Sequence, residues 1–162
     1  MVVLGVDPGT ATAGIAIVKD GVLIHTEKVF GQADDPASFH NFFTRLDTLI
    51  QEHKVEHILY EGQFAKINID SLIKIVRLTG VIVAVAGKNG IPSESKMPNS
   101  WRKVFHDVYG KVEKGNPKKE DTFKVVKQTF GIVKTFTKDN DIADAIGIAY
   151  CMYLLKKGDG QK

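Results

Sequence analysis

Two apolar runs in this chain stop abruptly at a carboxylate, and this constrains the fold more than any other feature of the sequence. VVLGVD at 2–7 reads as a buried strand that ends in Asp7 and turns through Pro8 and Gly9, and VEHILYE at 55–61 ends in Glu61. A carboxylate carried to the end of a buried strand loses hydration, which is costly unless a cation stands beside it. Asp-Pro-Gly is also ordinary turn chemistry, so Asp7 alone decides nothing. What decides is whether other acids converge on the same point.

The order of patterns supplies the frame. GIAIVKD at 14–20 and GVLIHTEKVF at 21–30 read as two further strands, with Asp20 and Gly21 forming a hairpin turn. The period then changes: Phe39, Phe42, Phe43, Leu46, Leu49 and Ile50 are spaced for one helix face, predicting a helix over 36–53 entered through Pro36. After the strand at 55–61, a helix over 68–88 is expected, capped by Asn68 or Asp70 and apolar around much of its girth. A short strand at 91–95, a helix opened by Pro98, Asn99 and Ser100, a helix over 117–129 and a last helix from near Asp139 or Asn140 to about Lys156 complete the chain. This order predicts an α/β fold, a mixed five-stranded sheet with helices on both faces. One domain over 1–158 is expected, followed by a frayed tail at 159–162.

Composition narrows the setting. Hydrophobic residues at 43% and charged residues at 25% describe an ordinary globular chain, and Cys151 is the only cysteine, which excludes an internal disulfide. No leader pattern opens the sequence, and the most apolar interior stretch, LTGVIVAVAG at 78–87, falls well short of the roughly 20 residues that cross a bilayer. A soluble cytoplasmic protein with no membrane partner is expected.

The last helix carries NDIADAIGIAY. Asp141 and Asp144, three apart, share a helix face beside the apolar stripe of Ile142, Ala145, Ile146 and Ala149, near the expected N-terminus. If strands 2–7 and 55–61 are parallel neighbours, Asp7 and Glu61 emerge at the carboxyl edge of the sheet, where open α/β sheets hold their ligands. Two like charges 4 Å apart cost about 4 kcal/mol at an effective dielectric near 20, so four converging carboxylates must take up protons or bind cations. An all-oxygen set suits Mg²⁺, with Mn²⁺ as substitute, rather than Zn²⁺. Two such ions form the clamp used in phosphodiester hydrolysis.

The modest net charge of +3 conceals an uneven distribution. Between 101 and 138, ten basic residues (Arg102, Lys103, Lys111, Lys114, Lys118, Lys119, Lys124, Lys127, Lys134 and Lys138) face four acidic ones, while the rest of the chain is net acidic. A basic face of this kind supplies phosphate contacts.

LGVDPGTATAG, YEGQFAKINIDS and DIADAIGIAY together resemble the RuvC family of Holliday junction resolvases, within the RNase H-like nuclease superfamily. The central piece is the most specific: Glu61, Phe64 three residues later, then Asn68, Asp70 and Ser71 opening a helix. The resemblance implies that Asp7, Glu61, Asp141 and Asp144 are the metal-binding catalytic set and that Lys118 or Lys119, with Lys103, approaches it. It also implies a homodimer formed through the 68–88 helix, and contact of Phe64 with unstacked bases of branched DNA (four-way junctions, and in addition three-way junctions and forks). The loop VYGKVEKGNPKK is longer than its RuvC counterpart, and the compact chain resembles phage-encoded members. Two other functions fit parts of the sequence. GVDPGT also resembles the phosphate-binding turn of actin-like ATPases, although the chain lacks a second such turn and a second domain. A noncatalytic nucleic-acid-binding module on the same scaffold would leave the four acids without a role.

Overall fold

The computed structural model describes residues 1–30, 35–62, 68–110 and 115–159. Its strands are β1 (Val2–Asp7), β2 (Thr12–Lys19), β3 (Val22–Phe30), β4 (His57–Glu61) and β5 (Ser93–Lys96). They form one sheet in the order β3-β2-β1-β4-β5. β1 to β3 form an antiparallel meander, and β4 and β5 add on in parallel. The β2–β3 turn is built on Asp20 at φ 50° and Gly21 at φ 83°. Positive φ at both positions is what a tight hairpin needs and what Asp-Gly supplies.

Among the described residues, five helices cover the sheet: α1 (Pro36–His53), α2 (Ile69–Asn89), α3 (Pro98–Tyr109), α4 (Lys119–Phe130) and α5 (Phe136–Asp159). The Asp35 carboxylate accepts hydrogen bonds from the N–H groups of Ala37 and Ser38, and Asn68 from that of Asp70, so both helices start where an oxygen satisfies their first donors. Alternation along the strands divides the core. Val2, Leu4, Val6 and Ile58 face α1 and α2, while Val3, Leu59, Ala16 and Val18 face α3 to α5.

α5 begins at Phe136, a turn earlier than the sequence predicts. The Asp139 carboxylate reaches back to accept from the N–H groups of Lys134 and Thr135, at 2.7 and 3.0 Å, and so works from inside the first turn rather than as a preceding cap. Asp141 and Asp144 consequently sit in the second and third turns of α5, not at its start. α2 buries Ile75, Leu78, Ile82, Val85 and Ala86, yet leaves Ile69, Ile73, Val76 and Val83 exposed on its outer face. Among the described residues no helix is long and apolar enough to cross a membrane.

Candidate active site

The parallel register of β1 and β4 pairs Val6 with Tyr60, so Asp7 and Glu61 leave the sheet side by side at the same edge. By alternation Asp7 shares the face of Val3, and Glu61 that of Leu59, which is the face covered by α5. α5 in turn comes close enough to β2 that a Cβ on Gly14 would collide with the Asp141 carbonyl oxygen. Three elements thus deliver four acids to one place. Asp7 and Asp144 are buried, at 7% and 0% exposure, and Glu61 and Asp141 are half-buried.

Three described cations, Lys119, Arg102 and Lys28, stand among them. The Lys119 ammonium lies 3.1 Å from Asp144 Oδ2, 3.7 Å from Asp7 Oδ2 and 3.8 Å from Asp141 Oδ1. The Arg102 guanidinium lies 3.1 Å from Asp144 Oδ2 and 3.5 Å from Glu61 Oε2. The Trp101 indole N–H donates to Glu61 Oε2 at 2.9 Å. Thr12 Oγ1 donates to Asp141 Oδ2 at 2.7 Å, and Lys28 Nζ, 3.6 Å from that oxygen, also hydrogen-bonds the Lys138 carbonyl. Among the described residues, Asp144 Oδ1 is buried without a hydrogen-bond partner.

The electrostatics are those of crowded acids. Burial, then the charges of Glu61 and Asp144, hold the Asp7 carboxyl well above the ordinary aspartate range. Burial and then the Asp144 charge raise Glu61, with Arg102 opposing. Burial also raises Asp144 against the pull of Lys119 and Arg102. Burial works against the Lys119 ammonium, but Asp7 and Asp144 outweigh it and raise its pKa.

The donor set fits a hard divalent cation. Among the described residues, no three His, Cys, Asp or Glu side chains are gathered closely enough to hold a metal ion as they stand, because Lys119 and Arg102 lie between the acids. Lys119, an ammonium touching oxygens of three carboxylates, stands where a cation is wanted. Among the described residues, four carboxylates face three cations, Lys119, Arg102 and Lys28, and one buried oxygen has no hydrogen-bond partner. Oxygen-only ligands with surplus negative charge are the chemistry of Mg²⁺-type sites.

Of the lysines the sequence proposes, Lys119 is at the acids. Lys103, Lys118 and Lys124 are exposed on α3, at the start of α4 and on α4. Phe64, Lys111 and Lys114 lie outside the described residues. Sequence reasoning misses the site roles of Trp101, Arg102, Thr12 and Lys28. The signal available is the dipeptide Trp101–Arg102 in a helix otherwise polar at its start.

A sheet in the order β3-β2-β1-β4-β5, with acids from β1, β4 and the helix laid over them, defines the RNase H-like class of α/β domains. The sequence model of the family described as crossover junction endodeoxyribonuclease RuvC matches residues 3–152, and the chain belongs to that family. Crossover junction endodeoxyribonuclease RuvC of Chlamydia trachomatis serovar L2 is 29% identical over 158 residues, covering 92% of this chain and 89% of its own. The Cytophaga hutchinsonii protein of the same name is 29% identical over 171 residues, covering 99% and 80%. Among solved structures, T. thermophilus RuvC in complex with Holliday junction substrate shares the fold, with a TM-score of 0.78 and 22% identity over 98% of this chain and 96% of its own.

Proposed function

We propose that this protein is a homodimeric, divalent-cation-dependent endonuclease that resolves Holliday junctions and related branched DNA by phosphodiester hydrolysis in the cytoplasm. The observation that carries this reading is the gathering of Asp7, Glu61, Asp141 and Asp144 from three elements at one sheet edge, with more negative charge than the described cations neutralise. Those four side chains would hold two Mg²⁺ ions, or Mn²⁺ in their place, which supply charge neutralisation at the phosphate and acidify water.

The chain's own residues do the rest. Lys119 keeps a protonated ammonium at the edge of the acids, positioned to meet a non-bridging phosphate oxygen once other cations share the carboxylates. Arg102 stands against Glu61 and Asp144, and Thr12 holds Asp141 by its hydroxyl. Hydrolysis on this pattern leaves 5′-phosphate and 3′-hydroxyl ends.

Lys103, Lys111, Lys114, Lys118 and Lys124 are assigned to phosphate contacts, and Phe64 to stacking on an unpaired base, a contact worth about 1–3 kcal/mol. Two copies related by a two-fold axis, joined through α2, would face two opposed strands of a junction. Incubating the protein with four-way, three-way and linear DNA, in Mg²⁺ or EDTA, tests the reading. Metal-dependent cutting confined to branched DNA is expected; metal-independent cutting, or none, would overturn it.

A further inference from the structure

We propose that Trp101 is a positioning residue for Glu61: its indole N–H fixes the orientation of that carboxylate while a divalent ion binds. The inference rests on the reading that Glu61 holds an ion, and it adds a residue that does not touch substrate.

Trp101 is fully buried, packed with Val3, Leu59, Ile148, Cys151 and Met152 between α5 and the sheet. Its six-membered ring lies against Gly147, where a Cβ would stand 2.5 Å from Cζ3, so α5 leaves the ring one place to sit. A ring clamped in this way presents a donor whose direction does not vary, and the indole N–H can only donate. That donor meets Glu61 Oε2 at 2.9 Å.

Cations stand beside the same group of acids, Arg102 at 3.5 Å from the same oxygen and Lys119 against Asp7, Asp141 and Asp144. A divalent ion repels both and competes with them for carboxylate oxygens. The neutral indole has no charge to be repelled and no freedom to move away. It therefore holds Glu61 while charge around the carboxylate changes. A merely structural indole would need its N–H satisfied, but would leave metal affinity indifferent to it.

Trp101 is the single tryptophan, so global replacement of tryptophan acts at one site. Benzothienylalanine, in which sulfur takes the place of the N–H at nearly constant shape, removes the donor and keeps the packing. We expect the analogue protein to melt close to wild type, bind Mg²⁺ about tenfold more weakly by calorimetry without DNA, and cut junctions about tenfold more slowly, the scale on which partners behind a metal ligand act. In the wild type, the lone indole ¹⁵N–¹H resonance should move on addition of Mg²⁺, and Glu61→Gln should abolish that movement. Trp101→Phe should act in the same direction with a lower melting temperature; should it fail to fold, the isosteric analogue decides. Wild-type metal affinity and cutting in the analogue protein would overturn the inference and leave the nuclease reading intact. A wild type that neither binds Mg²⁺ nor cuts would overturn both.

Discussion

Lys119 on α4 and Asp144 on α5 are joined by a 3.1 Å ion pair, and the same ammonium reaches Asp7 at the end of β1. This makes α4, a helix that contributes no acid, part of the acidic centre. Lys119 is about a third exposed, so its contribution to stability is screened and on the order of 1 kcal/mol. Lys119→Met should therefore lower the melting temperature in EDTA by about 2–4 °C. Added Mg²⁺ should remove most of that loss, since an ion takes over the neutralisation, whereas junction cutting should remain impaired. Equal melting of variant and wild type in EDTA would show that the pair does not hold the helix.

Asp7 gives the opposite sign. Burial and the neighbouring acids raise its carboxyl well above the ordinary value of 3.8. From 3.8 up to the raised value, the folded chain keeps a proton that the unfolded chain has released. Stability contributed by this group therefore falls as pH climbs through that window, and the penalty is complete above it. Asp7→Asn removes the penalty. In EDTA the variant should melt above wild type by a gap that widens from pH 4 upward, while cleavage is lost at every pH. A gap independent of pH would show that Asp7 bears no such burden.

The four acids are legible in the sequence because each breaks a local pattern. Asp7 and Glu61 end apolar strands, and Asp141 and Asp144 sit three apart at the border of an apolar helix face. The 36–53 helix is legible to the residue, because Pro36 and the Phe and Leu periodicity agree with the Asp35 cap. The start of α5 is not, since Asp139 caps by reaching backwards to Lys134 and Thr135, and a sequence does not show in which direction an aspartate points. Arg102 reads in the sequence only as part of a basic surface. What turns it inward is the meeting of α3 with α5 and β4, a contact between segments 42 residues apart in the case of Asp144.

Arg102 should therefore behave as an interior residue. Its side chain is about one-tenth exposed and Asp144 is almost wholly buried. Among the described residues, removing Arg102 leaves Asp144 with Lys119 alone and takes a cation from beside Glu61, a loss of about 1–3 kcal/mol. Arg102→Met should shift the urea midpoint downward by a corresponding amount, whereas Lys103→Met, one position along the same helix and exposed, should leave it in place. Equal shifts for the two variants would contradict the inward placement.

The exposed lysines should speak through salt. Lys118→Ala combined with Lys124→Ala should weaken junction binding and flatten the plot of log affinity against log salt, by about 0.9 for each phosphate that the variant no longer neutralises. Folding and Mg²⁺ binding should not change, because among the described residues the lysine of α4 at the acids is Lys119. A slope equal to that of wild type would remove both residues from the DNA footprint.

The outer face of α2 supplies the last prediction. Ile69, Ile73, Val76, Gly80, Val83 and Gly87 are exposed there and recur at alternating intervals of four and three residues. That spacing is the seam of two paired helices, and the two glycines allow close approach along it. Large apolar side chains at 72% exposure for Ile69 and 53% for Val76 are not left in water over the length of a helix without a partner to cover them. In the homodimer proposed above, a second copy of the same helix, related by a two-fold axis, would cover the seam with its own. Ile73→Asp places a charge in that seam without touching Ile75, Leu78 or Ile82, which hold α2 to its own core. The variant should elute and scatter light as a monomer, keep its melting transition and bind Mg²⁺ as wild type does. It should lose the paired cutting of opposed junction strands. A dimer that survives Ile73→Asp would place the interface elsewhere, and a wild type that is monomeric at micromolar concentration would overturn the dimer.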